Sequence, residues 1–399
     1  MRLTDLFSSV AVKVLRTVDL PGRGSNQHEV NGAAALRDFF QTSERLQGEI
    51  KWYYFSEDEE VVTADSTFTF YDARVKSAAR TGRSEWRLYY YGDFLSRATE
   101  GDLLVLARDK NSSVHALVFE NDSSWVHAAR YLFGFDSEAE QLVLLPEESL
   151  SATSIEFARS QILEALEIAV DMFDGDRYLD LVTRRFGNHF PSTKDMSDFA
   201  RSVEEVDAKV DPDTALTTWI QCEENLFRAI EAVQVKEKLA VGFEDVDDFI
   251  SYSLSVQNRR KSRMGHALEN HLAAIFDAHG LMYERQVRTE KKKSADFLFP
   301  GGSEYHDPDF NASLLVMLAA KSTLKDRWRQ ILTEADRIPS KHLCTIDTRV
   351  SRESIDEMRS KDVILIVPQA VRPAYLPDLQ RVMLSVGDFI AQVQQKQLH

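Results

Sequence analysis

Residues 314–337, LLVMLAAKSTLKDRWRQILTEADR, decide the fold of the C-terminal half of the chain. The apolar run that opens this stretch has the length and composition of a buried strand. It ends at Lys321, and the sixteen residues after the lysine carry seven charges. The sequence therefore predicts that Lys321 is delivered to the edge of a sheet, beside the charged segment that follows.

Helices and strands alternate from residue 261 onward, which is the pattern of an α/β domain around a mixed sheet. The predicted strands are 281–287, 295–299, 314–321, 342–346 and 363–367. The predicted helices are 216–232, 246–255, 263–279, 326–338, 351–360 and 376–396.

The N-terminal part has a different pattern of segment lengths and residue types. Short segments rich in β-branched and aromatic residues, separated by Gly, Asn and Asp, predict an all-β sandwich or barrel up to about residue 135. A helical stripe begins at Ser154, and residues 136–154 are predicted to connect the two parts. The predicted architecture is multidomain: an all-β domain over residues 1–145, a linker with helices over 146–210, and an α/β domain over 211–399.

Composition limits the classes of function. The chain has 399 residues, two cysteines and no apolar run long enough to cross a membrane, which predicts a cytoplasmic protein. A net charge of −16 argues, taken alone, against a nucleic-acid partner. Basic clusters at residues 74–87, 259–263 and 285–293 nevertheless leave local surfaces that can bind phosphate.

Three acids accompany Lys321 in the predicted α/β domain. Asp296 begins a strand, Glu334 follows the lysine on the next predicted helix, and Glu269 lies on the apolar face of an earlier helix. Carboxylates from neighbouring elements can hold a hard divalent cation, while a lysine orients water or stabilises negative charge. This set predicts phosphodiester hydrolysis.

Each residue also has a plain structural explanation. Asp296 alone is a charge at a strand edge, Glu334 a solvated helix residue, and Lys321 the polar end of a strand. Glu269 stands apart, because a carboxylate on the buried side of a helix needs a partner. Their occurrence at compatible ends of neighbouring elements favours one shared site.

These motifs resemble a known family. The segments RRKSRMG, LENHLAAIFDAHGL, DFLFPGGSEYHD, LAAKSTLKDRWRQILTEADRI and HLCTI resemble the catalytic domain of EcoRII-like restriction endonucleases, members of the PD-(D/E)xK nuclease superfamily. GRGSNQHEVNG and ARVKSAARTGRSEWR resemble the effector-binding domain of that family, a DNA-binding pseudobarrel related to the plant B-three domain. The resemblance implies a type IIE endonuclease, in which one domain cuts DNA and the other binds a second copy of the site and relieves autoinhibition.

The resemblance assigns roles to individual residues. Asp296 and Glu334 correspond to the acids that bind Mg²⁺, Lys321 to the catalytic lysine, Tyr305 to an active-site tyrosine, and Glu269 to a helix glutamate of the family. The signature is permuted, because the residue two before the lysine is Ala319 and the carboxylate comes from Glu334 instead. Ala295 stands where a proline often precedes the aspartate.

Sequence recognition is assigned to the KDR triplet, Lys325, Asp326 and Arg327. In the family this triplet reads C·G pairs in the major groove, which implies a CC/GG-containing site such as CCWGG. Arg327 and Glu334 are seven residues apart, so one α-helix would place them on the same face. The plain alternative is that Arg327 pairs with a neighbouring acid on a solvated helix. Residues 219–221 read WIQ where the family has a basic cluster.

In the N-terminal domain a basic strand face is predicted to contact effector DNA. Arg83, Glu85 and Arg87 would share one face, because alternate strand residues point to the same side. A solvated face with a Glu–Arg pair, and a turn role for the histidine, are the alternatives. The candidates are His28, Arg74, Lys76, Arg80, Arg83, Glu85 and Arg87.

The implied partners are double-stranded DNA at target and effector sites, a second copy of the chain bound through the catalytic domain, and a cognate DNA methyltransferase; no membrane is implied. Two other hypotheses stay open. The chain could be a defence nuclease of the same family that a small signalling molecule activates, or a DNA-binding regulator that has kept the nuclease fold without activity.

Overall fold

The computed structural model describes residues 2–21, 28–57, 61–74, 84–136, 139–152, 159, 162–163, 175–290 and 293–398. The chain divides into two units, Met1–Val170 and Asp171–His399. Residues 146–210, predicted to be a linker with helices, are thus shared between the units. Within the described residues no helix combines the length and the apolar character that a membrane span needs.

Unit 1 is built on one sheet of eight strands. The strands are β1 (Phe7–Val14), β2 (Glu29–Asn31), β3 (Leu46–Phe55), β4 (Val62–Asp72), β5 (Trp86–Tyr90), β6 (Leu103–Asp109), β7 (Val114–Phe119) and β8 (Val143–Leu144). Their order in the sheet is β2-β5-β4-β3-β7-β6-β1-β8, and neighbouring strands are antiparallel except for β3 and β7, which are parallel.

The short aromatic and β-branched segments of the sequence appear as β3 to β7, and their inward side chains form a buried core. The prediction that residues 136–154 connect the two parts is wrong for β8, because β8 pairs with Ala11 and Val12 of β1 and so belongs to the sheet. Unit 1 also contains helices, so its description as all-β is incomplete, and the pseudobarrel fold stays a prediction. The helices are α1 (Leu3–Leu6), α2 (Ala33–Phe40), α3 (Ser124–Phe133) and α4 (Glu147–Ala152).

Unit 2 has the mixed sheet of five strands that the sequence predicts. The strands are β9 (Glu284–Arg288), β10 (Ser294–Phe299), β11 (Val316–Lys321), β12 (Lys341–Thr345) and β13 (Val363–Ile366). Their order in the sheet is β13-β12-β11-β10-β9. The pairs β11/β12 and β12/β13 are parallel, and β10 runs antiparallel to both β9 and β11.

The helices of unit 2 differ from the prediction in several places, and α9 (Gly302–His306) was not predicted. The two helices predicted over 246–255 and 263–279 form one continuous helix, the segment after Lys321 is a 3₁₀ helix (Lys325–Thr333), and the last predicted helix is broken before Ser385. The helices are α5 (Gly175–Phe186), α6 (Thr193–Val203), α7 (Pro212–Val241), α8 (Val246–Ala278), α9 (Gly302–His306), α10 (Arg352–Ser360), α11 (Pro377–Gln380) and α12 (Val386–Gln397).

An aromatic cluster fixes α8 and α12 against the sheet. The ring of Phe276 on α8 lies 5.3 Å from Phe297 and 5.4 Å from Phe299, both on β10. Phe389 on α12 lies 5.6 Å from Phe299. Because these rings are almost completely buried, they hold the strand that carries Asp296 in a fixed position.

Polar side chains are buried between α6, α7 and α8. His271 Nε2 lies 3.0 Å from Glu223 Oε2, and Arg201 lies 3.0 Å from His271 Nδ1. Burial lowers the pKa of His271, so its neutral form accepts from Arg201 at Nδ1 and carries its proton toward Glu223. This arrangement gives a buried carboxylate a partner and ties the three helices together.

Candidate active site

Asp296 and Lys321 meet at one edge of the sheet. The antiparallel register pairs Phe297 with Leu318, which brings the start of β10 beside the end of β11. Asp296 Oδ2 accepts hydrogen bonds from Lys321 Nζ at 2.7 Å and from the backbone N–H of Ala320 at 2.9 Å. The carboxylate is buried, with 7% of the residue exposed. The structure thus brings together the acid and the lysine that the sequence selects.

Glu334 follows the 3₁₀ helix and has an extended backbone, with φ −99° and ψ 145°. Its Oε2 is buried and has no hydrogen-bond partner among the described residues. Burial raises the pKa of Glu334 to about 7; the charge of Lys321 opposes this rise, and the charge of Asp296 adds to it. Glu334 is therefore within electrostatic reach of the Asp296–Lys321 pair, and it has an oxygen that no described protein group satisfies.

The prediction that Arg327 and Glu334 share one face of an α-helix is wrong. The segment is a 3₁₀ helix, which has about three residues per turn, and it ends at Thr333 before Glu334 is reached. Arg327 is exposed, whereas the side chains of Lys325 and Asp326 lie outside the described part. The coupling between reading and cutting that a shared helix face would give has no basis in this geometry.

Glu269 lies on α8, where Leu272 and Phe276 are buried as the sequence predicts. Its Oε2 accepts a hydrogen bond from Gln286 Nε2 at 3.0 Å and lies 3.5 Å from Arg285. Gln286 Nε2 also lies 3.3 Å from Asp296 Oδ1. The partners of this half-buried carboxylate are therefore the Arg285 guanidinium and an amide that contacts Asp296 as well.

Tyr305 lies on α9, and its ring is buried. Its hydroxyl donates to Glu290 and accepts from the backbone N–H of Arg337 at 3.4 Å. Burial, together with the bond to Glu290, raises the pKa of Tyr305. Within the described residues its hydrogen bonds thus run to Glu290 and Arg337 rather than to Asp296, Lys321 or Glu334, and its catalytic role stays a prediction.

Four further residues near the site were not selected from the sequence. Lys341 is buried and donates to the backbone carbonyls of Glu334 and Ala335, and burial lowers its pKa. Lys293 contacts Thr333, beside Glu334. Glu290 accepts a hydrogen bond from Tyr305, and Gln286 donates one to Glu269. Of these four residues, Lys341 is the one that the sequence could have indicated, because it is a charged residue at the start of a buried strand.

The acids at this edge fit a hard divalent cation that completes its coordination with water and substrate. The described residues contain no group of three or more His, Cys, Asp or Glu placed to hold a metal ion. Mg²⁺ is bound typically by one or two carboxylates plus waters and substrate phosphates. Asp296 and Glu334, with the unsatisfied Oε2 of Glu334, supply a donor set of this kind.

The segment WIQ at residues 219–221 lies on α7. Trp219 is buried and its Nε1 donates to the backbone carbonyl of Glu204 at 2.9 Å, and Ile220 is completely buried. Gln221 donates to Asn225 at 3.1 Å. These residues pack within unit 2, which accounts for the absence of basic side chains at this point.

In unit 1 three of the described effector candidates, Arg74, Glu85 and Arg87, form an ion-pair cluster with Glu29. Arg87 binds Glu29 and Glu85, each at 2.5 Å, and Arg74 binds Glu85 at 2.5 Å. The neighbours of Arg87 on β5, Trp86 and Leu88, face the core. The ring of His28 lies 5.5 Å from that of Tyr90. Lys76, Arg80 and Arg83 lie outside the described residues.

Comparison with known proteins shows what the C-terminal region is similar to. Residues 227–390 match the family model described as EcoRII C terminal. The chain is 42% identical over 205 residues to the type II restriction enzyme EcoRII of Escherichia coli, a match covering 51% of this chain and 50% of that protein. It is 28% identical over 127 residues to the type II restriction enzyme SsoII of Shigella sonnei, covering 29% and 41%. The resemblance to the EcoRII family is confirmed for this region, although the chain spans about half the length of EcoRII.

Two solved structures are similar at lower identity. Metal-depleted Ecl18kI in complex with uncleaved, modified DNA superposes with a TM-score of 0.45 and 17% identity, covering 56% of this chain and 84% of that chain. The PspGI–substrate DNA complex superposes with a TM-score of 0.45 and 15% identity, covering 55% and 96%.

Proposed function

We propose that the chain is a type II restriction endonuclease, a site-specific enzyme that hydrolyses phosphodiester bonds of double-stranded DNA with Mg²⁺. The observation that carries the proposal is the contact of Asp296 with Lys321 at one sheet edge, with Glu334 in electrostatic reach of both, inside the region that matches the EcoRII C-terminal family. The names of the curated relatives, both type II restriction enzymes, support the same reaction class.

The residues of the site divide the work. Asp296 and Glu334 would hold the cation, which supplies Lewis-acid stabilisation of the phosphate and lowers the pKa of a bound water. Glu334 must be ionised to serve as a ligand, and the positive charges of Lys321, Lys293 and Lys341 favour that form. Lys321, whose ammonium is fixed by Asp296, orients the attacking water or stabilises charge on the phosphate.

The proposed target is a short site that contains CC/GG, such as CCWGG, read by Lys325, Asp326 and Arg327. Arginine donates two hydrogen bonds to guanine O6 and N7, and aspartate accepts from cytosine N4. The exposed position of Arg327 leaves its guanidinium accessible to a DNA groove.

Replacement of Arg327 tests the reading function. Arg327→Ala should weaken binding to the cognate site by about 1–3 kcal/mol, the size of one bidentate contact, and should lower discrimination against altered sites. Titrations of labelled duplexes without divalent cation measure both quantities. Arg329→Ala is the matched control, because Arg329 lies in the same 3₁₀ helix and is held by Glu357 at 2.6 Å. An equal loss on cognate and altered sequences would show that Arg327 contacts phosphate only.

We propose further that unit 1 is a B-three-like effector domain that binds a second DNA site and relieves autoinhibition, as in type IIE enzymes. The basic segment 74–87 supports DNA as the effector. Arg74 and Arg87 form ion pairs with Glu85 and Glu29. To bind DNA, the two arginines would have to leave these glutamates or contact the DNA while still paired with them.

A second copy of the chain is the proposed protein partner, through the catalytic domain, in a cytoplasmic system that includes a cognate methyltransferase. Large apolar side chains are exposed at the adjacent ends of α7 and α8, which is typical of an interaction surface. They are Leu239, Val241, Val246, Phe249, Ile250 and Leu254.

One cleavage assay tests the proposed function against its alternatives. The purified protein should cut plasmid DNA at one short sequence with Mg²⁺ and not with EDTA, and sequencing the cut ends would give the site and the stagger. Added duplex oligonucleotide carrying the site should accelerate cutting of a one-site plasmid. Cutting that requires a small signalling nucleotide instead would favour the ligand-activated defence nuclease. Specific binding without any cutting would favour the non-cleaving regulator and contradict the proposal.

A further inference from the structure

A strained residue stands at the edge of the site. Gln286 lies on β9 opposite Asp296, because Val287 pairs with Ala295 and Arg285 pairs with Phe297 on either side. Its φ is +53°, in the left-handed region that side-chain-bearing residues seldom adopt. Such a conformation in the middle of a strand costs backbone free energy and persists where the surroundings require it.

The strained backbone directs one amide group at two acids. Gln286 Nε2 lies 3.0 Å from Glu269 Oε2 and 3.3 Å from Asp296 Oδ1, so each of its two protons can serve one carboxylate. The other oxygen of Asp296 is already bound by Lys321 and Ala320. Gln286 is thus the described group that links Glu269 to the Asp296–Lys321 pair.

Without this amide, electrostatic repulsion would favour separation of the Glu269 and Asp296 carboxylates. Like charges in close proximity repel, and Arg285 lies 3.5 Å from the same Oε2 of Glu269 and 3.1 Å from Asn270. Loss of the Gln286 donor would therefore favour movement of Glu269 toward the Arg285 guanidinium and away from Asp296.

We propose that Gln286 is a positioning residue of the nuclease site, which holds Glu269 beside Asp296 through its side-chain amide. The inference rests on the proposed endonuclease function and adds a residue to it. The positive φ is the means by which an edge strand aims this amide across the site.

Substitution by glycine separates positioning from folding. Gln286→Gly removes the amide and relieves the left-handed backbone, so its urea unfolding midpoint should be no lower than that of the wild type. Its cleavage rate should nevertheless fall about 10–100-fold, the usual effect of removing a group that orients site ligands. Gln41→Gly is the matched control, because Gln41 has φ +54° at the end of α2 in unit 1. It should relieve the same strain and leave cleavage unchanged.

A double substitution tests whether Gln286 acts through Glu269. Gln286→Gly should slow a Glu269→Ala protein much less than it slows the wild type, because the two changes remove the same interaction. Equal slowing in both backgrounds, or a Gln286→Gly protein that cuts as fast as the wild type, would overturn the proposal.

The contact itself can be measured without catalysis. The side-chain amide signals of Gln286 in a ¹H–¹⁵N spectrum, assigned by their loss in Gln286→Gly, should shift in Glu269→Gln. If the wild type cuts no DNA, the proposed function fails, and this spectrum still decides whether the Gln286 amide holds Glu269. Amide signals that Glu269→Gln leaves in place would overturn it.

Discussion

Lys321→Ala, Asp296→Ala and Glu334→Ala are each expected to reduce DNA cleavage by about a hundredfold or more while specific DNA binding persists. The alanine at 321 removes the ammonium that Asp296 fixes at 2.7 Å. The alanines at 296 and 334 remove carboxylate ligands, and at 334 the oxygen that is lost has no described protein partner. None of the three side chains is needed to fill the aromatic core behind the sheet, so the fold should survive.

The measurement is single-turnover cleavage of a cognate duplex with enzyme in excess, because this isolates the chemical step from product release. Asp378→Ala is the control. Asp378 forms an ion pair with Arg352 at 2.8 Å on the exposed surface of unit 2, and its loss should leave the rate unchanged. Binding titrations without divalent cation check that each variant still recognises the site. Cleavage by Asp296→Ala or Glu334→Ala at the wild-type rate would show that the proposed site is wrong.

The sequence predicts the strands well and the sheet edge with them. A charged residue at the start or end of an apolar strand must either leave the core or find a partner there. This argument brings Lys321 and Asp296 to the same edge, and the structure has them in contact. It also predicts that Glu269 needs a partner, although it does not identify Gln286.

The segment after Lys321 could not be predicted in the same way. Trp328 and Ile331 are buried three residues apart, and over nine residues this spacing fits both a 3₁₀ helix and an α-helix. The conformation of Gln286 has no signal in the sequence, because a left-handed glutamine in a strand is determined by tertiary contacts. The break in the last helix does have a signal in the sequence, because Ser385 and Asp388 form a capping box that starts α12.

Asp213 is expected to be the acid on which the stability of unit 2 depends most. It is buried, with 3% of the residue exposed. Its Oδ1 accepts from the backbone N–H groups of Gln369 at 3.0 Å and Val386 at 3.1 Å, and its Oδ2 accepts from Gly387 at 3.0 Å. Val386 and Gly387 open α12, so Asp213 on α7 satisfies donors that a helix N-terminus leaves unpaired.

Asp213→Asn should lower the free energy of unfolding by about 3 kcal/mol, because the amide nitrogen would face an N–H group and leave buried donors unsatisfied. The loss should extend to the sheet, since Phe389 on α12 packs against Phe299 on β10. Urea unfolding gives the magnitude. Because the chain has two units, urea unfolding alone does not show which unit has lost stability. Hydrogen exchange resolved by peptide should assign the loss to α12 and unit 2 rather than to unit 1.

Asp211→Asn is the matched control for this prediction. Asp211 lies two residues earlier and caps α7 at the surface, where its Oδ1 accepts from Thr214 N–H at 2.9 Å. Asparagine caps a helix about as well as aspartate, and water reaches this exposed position, so Asp211→Asn should cost no more than a few tenths of a kcal/mol. The difference between the two variants thus isolates burial of the acceptor from capping as such. A loss in Asp213→Asn no larger than that in Asp211→Asn would mean that the three buried N–H groups find other acceptors, and that Asp213 does not hold α12 against the sheet.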